Sequence, residues 1–350
     1  MKDTLDSALH TTETPVTAKT PKILVVLNKP VGDTILSVPL LRNLRLNYPH
    51  ARMDVLASPR GQGILVHCPY IDTLLTPDKG GTLYWQLLKN RFDLAFICQR
   101  FPKYSVISKL AGIKTVISYR YQEIKKGAKH TPWALGVDKP IDIPGKEPHM
   151  VEQLLSFMTP LGIPVHNTHL ELWPTPEDEH SIDTLLGETQ QPLAVLHVAT
   201  ESAHKHVDIA CFTQAAQALH QNGFQILCTG LAQDQSVIEA LGKQAGVSLT
   251  NLAGKTNLGQ LIALLKRSKV LISIDSSPIH IAAAIQTPYI IGLYGSERAI
   301  RIWHPYNPDC QFHPVVYPDY PPSELGQHLG ELIQTLILPH YFEHNQPCLS

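Results

Sequence analysis

The stretch Lys269–Gly295, KVLISIDSSPIHIAAAIQTPYIIGLYG, decides the fold class of this chain. Val270–Ile274 is a short apolar, β-branched run, which is the pattern of a strand buried in an α/β sheet. The apolar residues from Ile279 to Ile285 have the spacing of a helix with one apolar face. A second apolar run, Tyr289–Leu293, follows. This order of strand, helix and strand predicts a parallel α/β sheet.

A polar corner, Asp275-Ser276-Ser277-Pro278, separates this first strand from the helix. Ser276 or Ser277 can act as the N-cap, and Pro278 fits the first helical turn. A carboxylate, two hydroxyls and free helix N–H groups therefore meet at the carboxyl edge of the sheet, where α/β proteins bind ligands and phosphate. His280 is close enough to face the same ligand. The alternative is that Asp275 and the serines only cap the helix.

Length and composition favour a globular chain of two domains, because 350 residues exceed what one core usually organises. The hydrophobic content of 43% supplies ample core, and a net charge of −1 gives no general electrostatic case for nucleic acid. Six scattered cysteines without a C-x-x-C favour a reducing compartment.

The sequence also predicts where the protein resides. Residues 1–20 are polar and Thr-rich, so we expect a disordered tail and not a signal peptide. No apolar run is long enough to span a bilayer. We therefore expect a cytoplasmic protein, with peripheral contact at the cytoplasmic face of the inner membrane left open.

A second polar corner, Gly32-Asp33, follows the first predicted strand, Lys22–Leu27. A helix is expected over Thr34–Asn47 and a strand over Arg52–Leu56, which makes a right-handed βαβ unit. Gly32 permits a tight turn or the close approach of a ligand, and Asp33 could serve only as an N-cap. The corner contains neither a G-x-G-x-x-G nor a Walker loop, which argues against a dehydrogenase or an ATPase. Gly61-Gln62-Gly63 is interpreted as a loop.

The Pro-rich segment 172–176 (LWPTP) is the predicted domain junction. Beyond it a second α/β series begins, and the loop at residues 200–206 follows its first strand. Lys205 in that loop is a compact cation suited to phosphate. A final amphipathic helix is expected over Ser323–Leu338.

Several histidines invite a metal interpretation. These are His197, His204 and His206, together with Cys310-x-x-His313. Their spacing matches no known ligand set, so we expect no metal site.

Taken in order, these corners resemble glycosyltransferase family nine, the ADP-heptose:lipopolysaccharide heptosyltransferases. The first signature is matched by Gly32–Pro49 (GDTILSVPLLRNLRLNYP), and the last by Asp275–Ala284 with Pro288, Tyr294 and Gly295. His149 and Glu152 resemble the family's helix before the domain linker. The resemblance covers about residues 22 to 340.

Three departures from the family's pattern keep the donor sugar open. Ser277 stands where the family has a glycine, and Lys205-His206-Val207-Asp208 replaces a K-x-W-P. Gly295-Ser296-Glu297 replaces a G-P-T.

The resemblance implies an α/β protein with the GT-B fold, in which two Rossmann-like domains face a central cleft. Residues 21–175 would bind the acceptor and residues 176–322 the nucleotide sugar. Residues 323–350 would form a helix and tail that pack back on the N-terminal domain. The implied reaction is an inverting transfer of heptose from ADP-heptose to an anionic lipopolysaccharide acceptor, without cofactor or bound metal.

The resemblance and the chemistry of the residues together suggest roles for individual side chains. Asp33 is the expected catalytic base. The donor diphosphate and sugar would be held by Thr200, Ser202, Lys205, Asp275, Ser276, Ser277 and His280, and the ribose by Asp234. The acceptor would face Lys79, Arg120, Lys125 and Lys126, which include part of a basic patch that could instead meet an anionic membrane or only be solvated. Alternatives for the function are transfer of another nucleotide sugar, or to another acceptor, and a non-catalytic nucleotide-sugar-binding or scaffold protein.

Overall fold

The computed structural model describes residues 20–77, 81–120, 134–143, 147–198, 207–307 and 309–339, which form two α/β domains. Most of the predicted tail, residues 1–19, lies outside the described residues. No helix within the described ranges has the length and apolar character needed to cross a bilayer.

The first domain is a parallel sheet of six strands with helices on its faces. Its strands are β1 (Lys22–Leu27), β2 (Arg52–Ala57), β3 (Thr73–Leu75), β4 (Leu94–Ile97), β5 (Thr115–Tyr119) and β6 (Lys139–Ile141). Its helices are α1 (Val31–Ile35), α2 (Val38–Asn47), α3 (Pro59–Leu65), α4 (Thr82–Asn90), α5 (Pro102–Leu110) and α6 (Met150–Leu155), the last followed by a 3₁₀ helix over Ser156–Leu161.

The second domain repeats this architecture. Its strands are β7 (Leu193–His197), β8 (Gln225–Thr229), β9 (Thr250–Asn251), β10 (Val270–Ile274), β11 (Tyr289–Tyr294) and β12 (Gln311–Val316). Its helices are α7 (Pro176–Leu186), α8 (Thr213–Gln221), α9 (Gln235–Ala245), α10 (Leu258–Arg267), α11 (Ser277–Ala284), α12 (Glu297–Trp303) and α13 (Pro322–Leu332). Shorter 3₁₀ helices lie at Ile209–Phe212, Ala232–Asp234 and Tyr317–Asp319, and a π-helical turn at Ile333–Ile337.

The strand orders place one topological switch point in each domain. The first sheet runs β3-β2-β1-β4-β5-β6, so the chain reverses its direction of travel between β1 and β4. The second runs β12-β11-β10-β7-β8-β9, with the reversal between β10 and β7. Open α/β sheets form a ligand crevice beyond the carboxyl ends of the strands at such points.

The helix predicted over Thr34–Asn47 is instead two helices, α1 and α2, which meet near Ser37. Pro39 explains the break, because its ring nitrogen cannot donate to a carbonyl in the preceding turn. The hydroxyl of Ser37 donates to the Thr34 carbonyl oxygen at 2.6 Å at the junction. As a result, Asp33 lies in a short helix of its own.

The C-terminal helix does not pack on the first domain as the resemblance implied. The apolar residues Leu325, Leu329 and Ile333 are buried with the core of the second domain, against α8 and Ile209–Phe212. The physical reason is the apolar face of α8, which α13 covers. That expectation is wrong for the described residues of this segment.

The two domains share an apolar contact. One cluster of buried side chains contains Leu36 and Ile64 of the first domain with Leu264 and Ile281 of the second. The main helix contacts between the domains are those of α1 with α11 and of α3 with α10. The two switch points are therefore held close to each other.

Candidate functional site

A cavity of about 450 Å³ lies between the two domains, beyond the carboxyl ends of β1 and β4. The first domain contributes residues that follow these strands, among them Lys29 and Arg100 from the loops and Asp33 from α1. The second domain contributes Arg298 and Trp303 from α12. The cavity thus occupies the crevice that the switch point of the first sheet predicts.

Asp33 lines this cavity, and the structure does not place it at an N-cap. The helix α1 begins at Val31 with Pro30 in the capping position, and no side chain caps it among the described residues. The indole N–H of Trp303 donates to Asp33 Oδ1 at 3.3 Å, and Lys29 Nζ lies 3.9 Å from Oδ2. The carboxylate therefore faces groups that do not belong to its own helix.

The two sequence motifs meet at Gly32 and His280. A Cβ atom built on Gly32 would lie 2.8 Å from Cδ2 of His280 and 3.8 Å from the Cα atom of Ser277. Gly32 lies in α1 and does not have a left-handed φ, so the turn does not require glycine. Glycine is needed here because α11 packs closely against α1. The group that approaches Gly32 is the His280 side chain and not a ligand.

Asp275 follows β10 directly and is only 7% exposed. Burial, together with the Asp275 charge, raises the pKa of Tyr317. The hydroxyl of Ser276 donates back to the Ile274 carbonyl oxygen at 3.1 Å and makes no capping bond to α11. Ser276 occupies the N-cap position of α11, but its side chain does not cap the helix.

Two further predicted residues have local contacts. Asp234 accepts a hydrogen bond from the Leu231 N–H at 2.7 Å and so closes its own loop after β8. Arg120, at the end of β5, pairs with Asp142. The other predicted residues lie outside the described residues; these are Lys79, Lys125, Lys126, Thr200, Ser202 and Lys205.

The residues at two of the family departures have structural contacts. Val207, which replaces a tryptophan, is buried with the core of the second domain. Ser296, which replaces a proline, accepts a hydrogen bond from the Ala299 N–H at 3.2 Å and caps α12. Ser277 is the first residue of α11.

A set of charged residues on the cavity wall was not predicted from the sequence. Glu147 of the first domain pairs with Arg100 at 3.5 Å and with Arg298 of the second domain. Lys29 and Arg100 follow β1 and β4, so the rule that ligands bind at strand ends could have indicated both. Glu147 and Arg298 are brought together only by the tertiary structure.

His149 joins the domains on the side of α6. Its Nδ1 accepts from the Val151 N–H at 3.1 Å, so its Nε2 carries the proton and donates to the His304 carbonyl oxygen at 3.0 Å. Its ring stacks on Tyr306 with the ring centres 4.5 Å apart. Burial, then the neighbouring His304 and His280, lower the pKa of His149 to about 3.

The histidines considered for a metal do not gather in the described part of the chain. No three His, Cys, Asp or Glu side chains there lie close enough to hold an ion. His197 is 3.0 Å from the Thr229 hydroxyl, and burial lowers its pKa to about 4. The Cys310 thiol donates to the Asn307 carbonyl oxygen at 3.3 Å. His204 and His206 lie outside the described residues.

The chain is similar in sequence and in fold to proteins of one family. The family model of glycosyltransferase family 9 (heptosyltransferase) matches residues 82–321. The lipopolysaccharide core heptosyltransferase OpsX of Haemophilus influenzae is 28% identical over 327 residues, which cover 91% of each chain. A family 9 glycosyltransferase structure from Veillonella parvula superposes with a TM-score of 0.77 at 19% identity, covering 93% of this chain and 100% of the other.

A second solved structure is that of the E. coli ADP-heptose lps heptosyltransferase II. It has a TM-score of 0.73 at 22% identity and covers 91% of this chain and 99% of its own. The predicted GT-B fold is thereby confirmed. Together with the family model, this establishes that the chain belongs to glycosyltransferase family 9, the heptosyltransferase family, and is a glycosyltransferase.

Proposed function

We propose that this protein transfers a heptose from ADP-heptose to a hydroxyl of a lipopolysaccharide inner core or a related anionic glycan, with inversion and without a bound metal ion. The contact of Gly32 with His280 carries the proposal, because it joins the two family motifs across one cleft. The relatives named above support the family role, and one of them, from E. coli, is an ADP-heptose lps heptosyltransferase.

In this proposal Asp33 is the general base. One carboxylate oxygen takes the proton of the acceptor hydroxyl while the hydroxyl oxygen attacks the anomeric carbon. A new C–O bond forms on the face opposite the diphosphate, the bond from that carbon to the phosphate oxygen breaks, and ADP leaves with the electron pair. The position of Asp33 on the cavity wall supports this role.

The leaving diphosphate carries growing negative charge, which the second domain would stabilise. The N-terminal turn of α11, where the Ser276 side chain does not cap the helix, would offer N–H groups to a phosphate, together with Ser277. We assign Lys205, Thr200 and Ser202 to the same diphosphate from their position in the sequence after β7.

The remaining donor contacts concern the sugar and the ribose. Asp275 and His280 would orient sugar hydroxyls or the loop, and Asp234 would reach the ribose. We place the acceptor near Arg120 and the basic residues Lys79, Lys125 and Lys126. A membrane-borne acceptor would bring the protein to the cytoplasmic face of the inner membrane.

The test is transfer by the purified protein from ADP-, GDP- and UDP-sugars to a truncated lipopolysaccharide core, followed by mass spectrometry. Asp33→Asn should lower kcat by about 10²- to 10⁴-fold, with ADP affinity in calorimetry unchanged. Lys205→Ala should weaken ADP binding, because a charged phosphate partner is lost.

Transfer activity should persist in EDTA, because the proposed reaction uses no bound metal ion.

The matched control is Asp183→Asn, which alters an exposed ion pair with Arg267 far along α7. It should leave kcat unchanged. If Asp33→Asn kept the wild-type kcat, Asp33 would not be the general base. A UDP- or GDP-sugar as the working donor would replace ADP-heptose, and binding without transfer would leave a non-catalytic protein.

A further inference from the structure

The helix α12 belongs to the second domain, and three of its side chains make polar contacts with the first. Arg298 pairs with Glu147, and Arg301 Nε donates to the Glu147 carbonyl oxygen at 3.3 Å. At the other end of the helix, the indole N–H of Trp303 donates to Asp33. The helix therefore lies across the cleft, with Trp303 against the carboxylate of the proposed base.

Trp303 is anchored from behind. The hydroxyl of Tyr294, a fully buried residue of β11, donates to the Trp303 carbonyl oxygen at 3.2 Å. Ile302, beside it in the chain, is only 2% exposed. The backbone that carries the indole is thus held by β11 and by the buried side chain of Ile302.

The chemistry of the pair is directional. An indole N–H is a donor only, and a carboxylate is an acceptor when ionised. A bond from Trp303 to Oδ1 restricts rotation of the Asp33 carboxylate and leaves Oδ2 to receive a proton. Lys29 Nζ, 3.9 Å from Oδ2, gives that oxygen an electrostatic neighbour and not a close hydrogen bond.

We infer that Trp303 is a positioning residue for the base, supplied by the nucleotide-sugar domain to the acceptor domain. This inference rests on the proposed role of Asp33. Because the indole and the carboxylate lie on different domains, the base is oriented only when the domains are together. The donor-binding domain thereby controls the geometry of proton removal.

The alternative is that the indole only fills space in the cleft. Both roles place Trp303 on the cavity wall. They differ in what depends on the N–H group, since packing needs the ring shape alone. An experiment that removes the N–H and keeps the ring shape therefore separates them.

The test compares Trp303→Phe, and a protein with the benzothiophene analogue of tryptophan at position 303, with the wild type. The analogue keeps the bicyclic shape and replaces the N–H by sulfur. In both proteins kcat should fall about tenfold or more, as expected for losing a hydrogen bond to a charged group. The dissociation constant of ADP and the thermal midpoint of the analogue protein should stay at the wild-type values.

Trp85→Phe is the matched control, because Trp85 lies on α4 and is 67% exposed. It should leave kcat unchanged. An analogue protein with the wild-type kcat would overturn the inference. A lower kcat together with weaker ADP binding and a lower thermal midpoint would also overturn it, because the ring would then have only a structural role. The comparison uses whichever nucleotide sugar the wild type transfers, so failure of ADP-heptose as donor does not decide it.

Discussion

At the scale of single residues, Gly32 is the most informative position. A Cβ atom there would meet the ring of His280 at 2.8 Å, and that ring is only 4% exposed and cannot move aside freely. Overpacking of this kind typically costs about 1–3 kcal/mol. We expect Gly32→Ala to lower the free energy of unfolding by that order and to reduce kcat, measured by denaturant unfolding and by the transfer assay.

The control for Gly32→Ala is Gly330→Ala. Gly330 lies in α13, where the nearest atom to a built Cβ is Cβ of Gln214 at an ordinary 3.4 Å. Alanine in a helix interior is favoured over glycine by about 1 kcal/mol, so this variant should be neutral or more stable. If Gly32→Ala also gained stability, the close approach of α11 to α1 would have to be abandoned.

Also at this scale, the sequence indicates which residues are important, but it does not indicate their structural roles as well. The motif around Asp275 predicted either capping by a serine or ligand binding. The Ser276 hydroxyl does not cap α11 but donates to the Ile274 carbonyl oxygen, and ligand binding stays a prediction. The sequence left Gly32 with two explanations, a tight turn or the close approach of a ligand. The structure shows a third, the close approach of the His280 ring, which only tertiary contacts reveal.

At the scale of elements, α2 gives an arginine of the first signature a structural role. Arg42 is buried and donates to Glu171, to the Asn167 side chain and to the His169 carbonyl oxygen. These contacts fasten the segment before α7 to the first domain. Burial lowers the pKa of Arg42, but hydrogen bonds and the Glu171 charge outweigh it and raise the pKa overall.

We expect Arg42→Lys to destabilise the protein by about 2 kcal/mol, because an ammonium cannot reproduce the planar fork of donors. The measurement is chemical unfolding at neutral pH. Arg267→Lys is the matched control, since its pair with Asp183 is largely exposed and should contribute about 0–1 kcal/mol. Equal small effects of the two changes would show that the Arg42 contacts do not fasten the segment.

Elements were predicted correctly where one pattern was strong and local. The strands Lys22–Leu27 and Val270–Ile274 have the predicted bounds, because each is an apolar run next to turn residues. The interpretation of residues 61–63 as a loop was wrong, since Pro59–Leu65 is a helix capped by the Ser58 hydroxyl. The two glycines favoured a loop, although Ser58 followed by Pro59 is a typical start of a helix.

At the scale of the whole molecule, the order of strands and helices along the chain was enough to predict two α/β domains. It also predicted that the motifs lie at the carboxyl edges of the sheets. It could not predict which surfaces face each other. Trp303 and Asp33 are 270 residues apart, and Arg42 and Glu171 are 129 apart. Nothing local in the sequence links such pairs, so Trp303, Glu147 and Arg298 were found only in the folded structure.

The contact of the domains at His149 gives the molecule a response to acid. The pKa of His149 falls from 6.5 to about 3 on folding, so the unfolded chain binds a proton that the native protein does not. Stability from this residue is fully present above about pH 6.5 and is lost as the pH falls towards 3. Protonation would place a charge beside His304 and His280 in the buried contact between the domains.

We expect the thermal midpoint of the wild type to fall between about pH 6.5 and 4, and to fall less steeply in His149→Asn. Asparagine can still cap α6, so the variant removes the titrating ring with the helix start kept. His197, with a pKa of about 4, supplies a remaining acid slope in both proteins. His220→Asn, an exposed site on α8, should keep the wild-type slope. Parallel curves for the wild type and His149→Asn would mean that His149 does not titrate in the domain contact, and the acid response would then come from other groups.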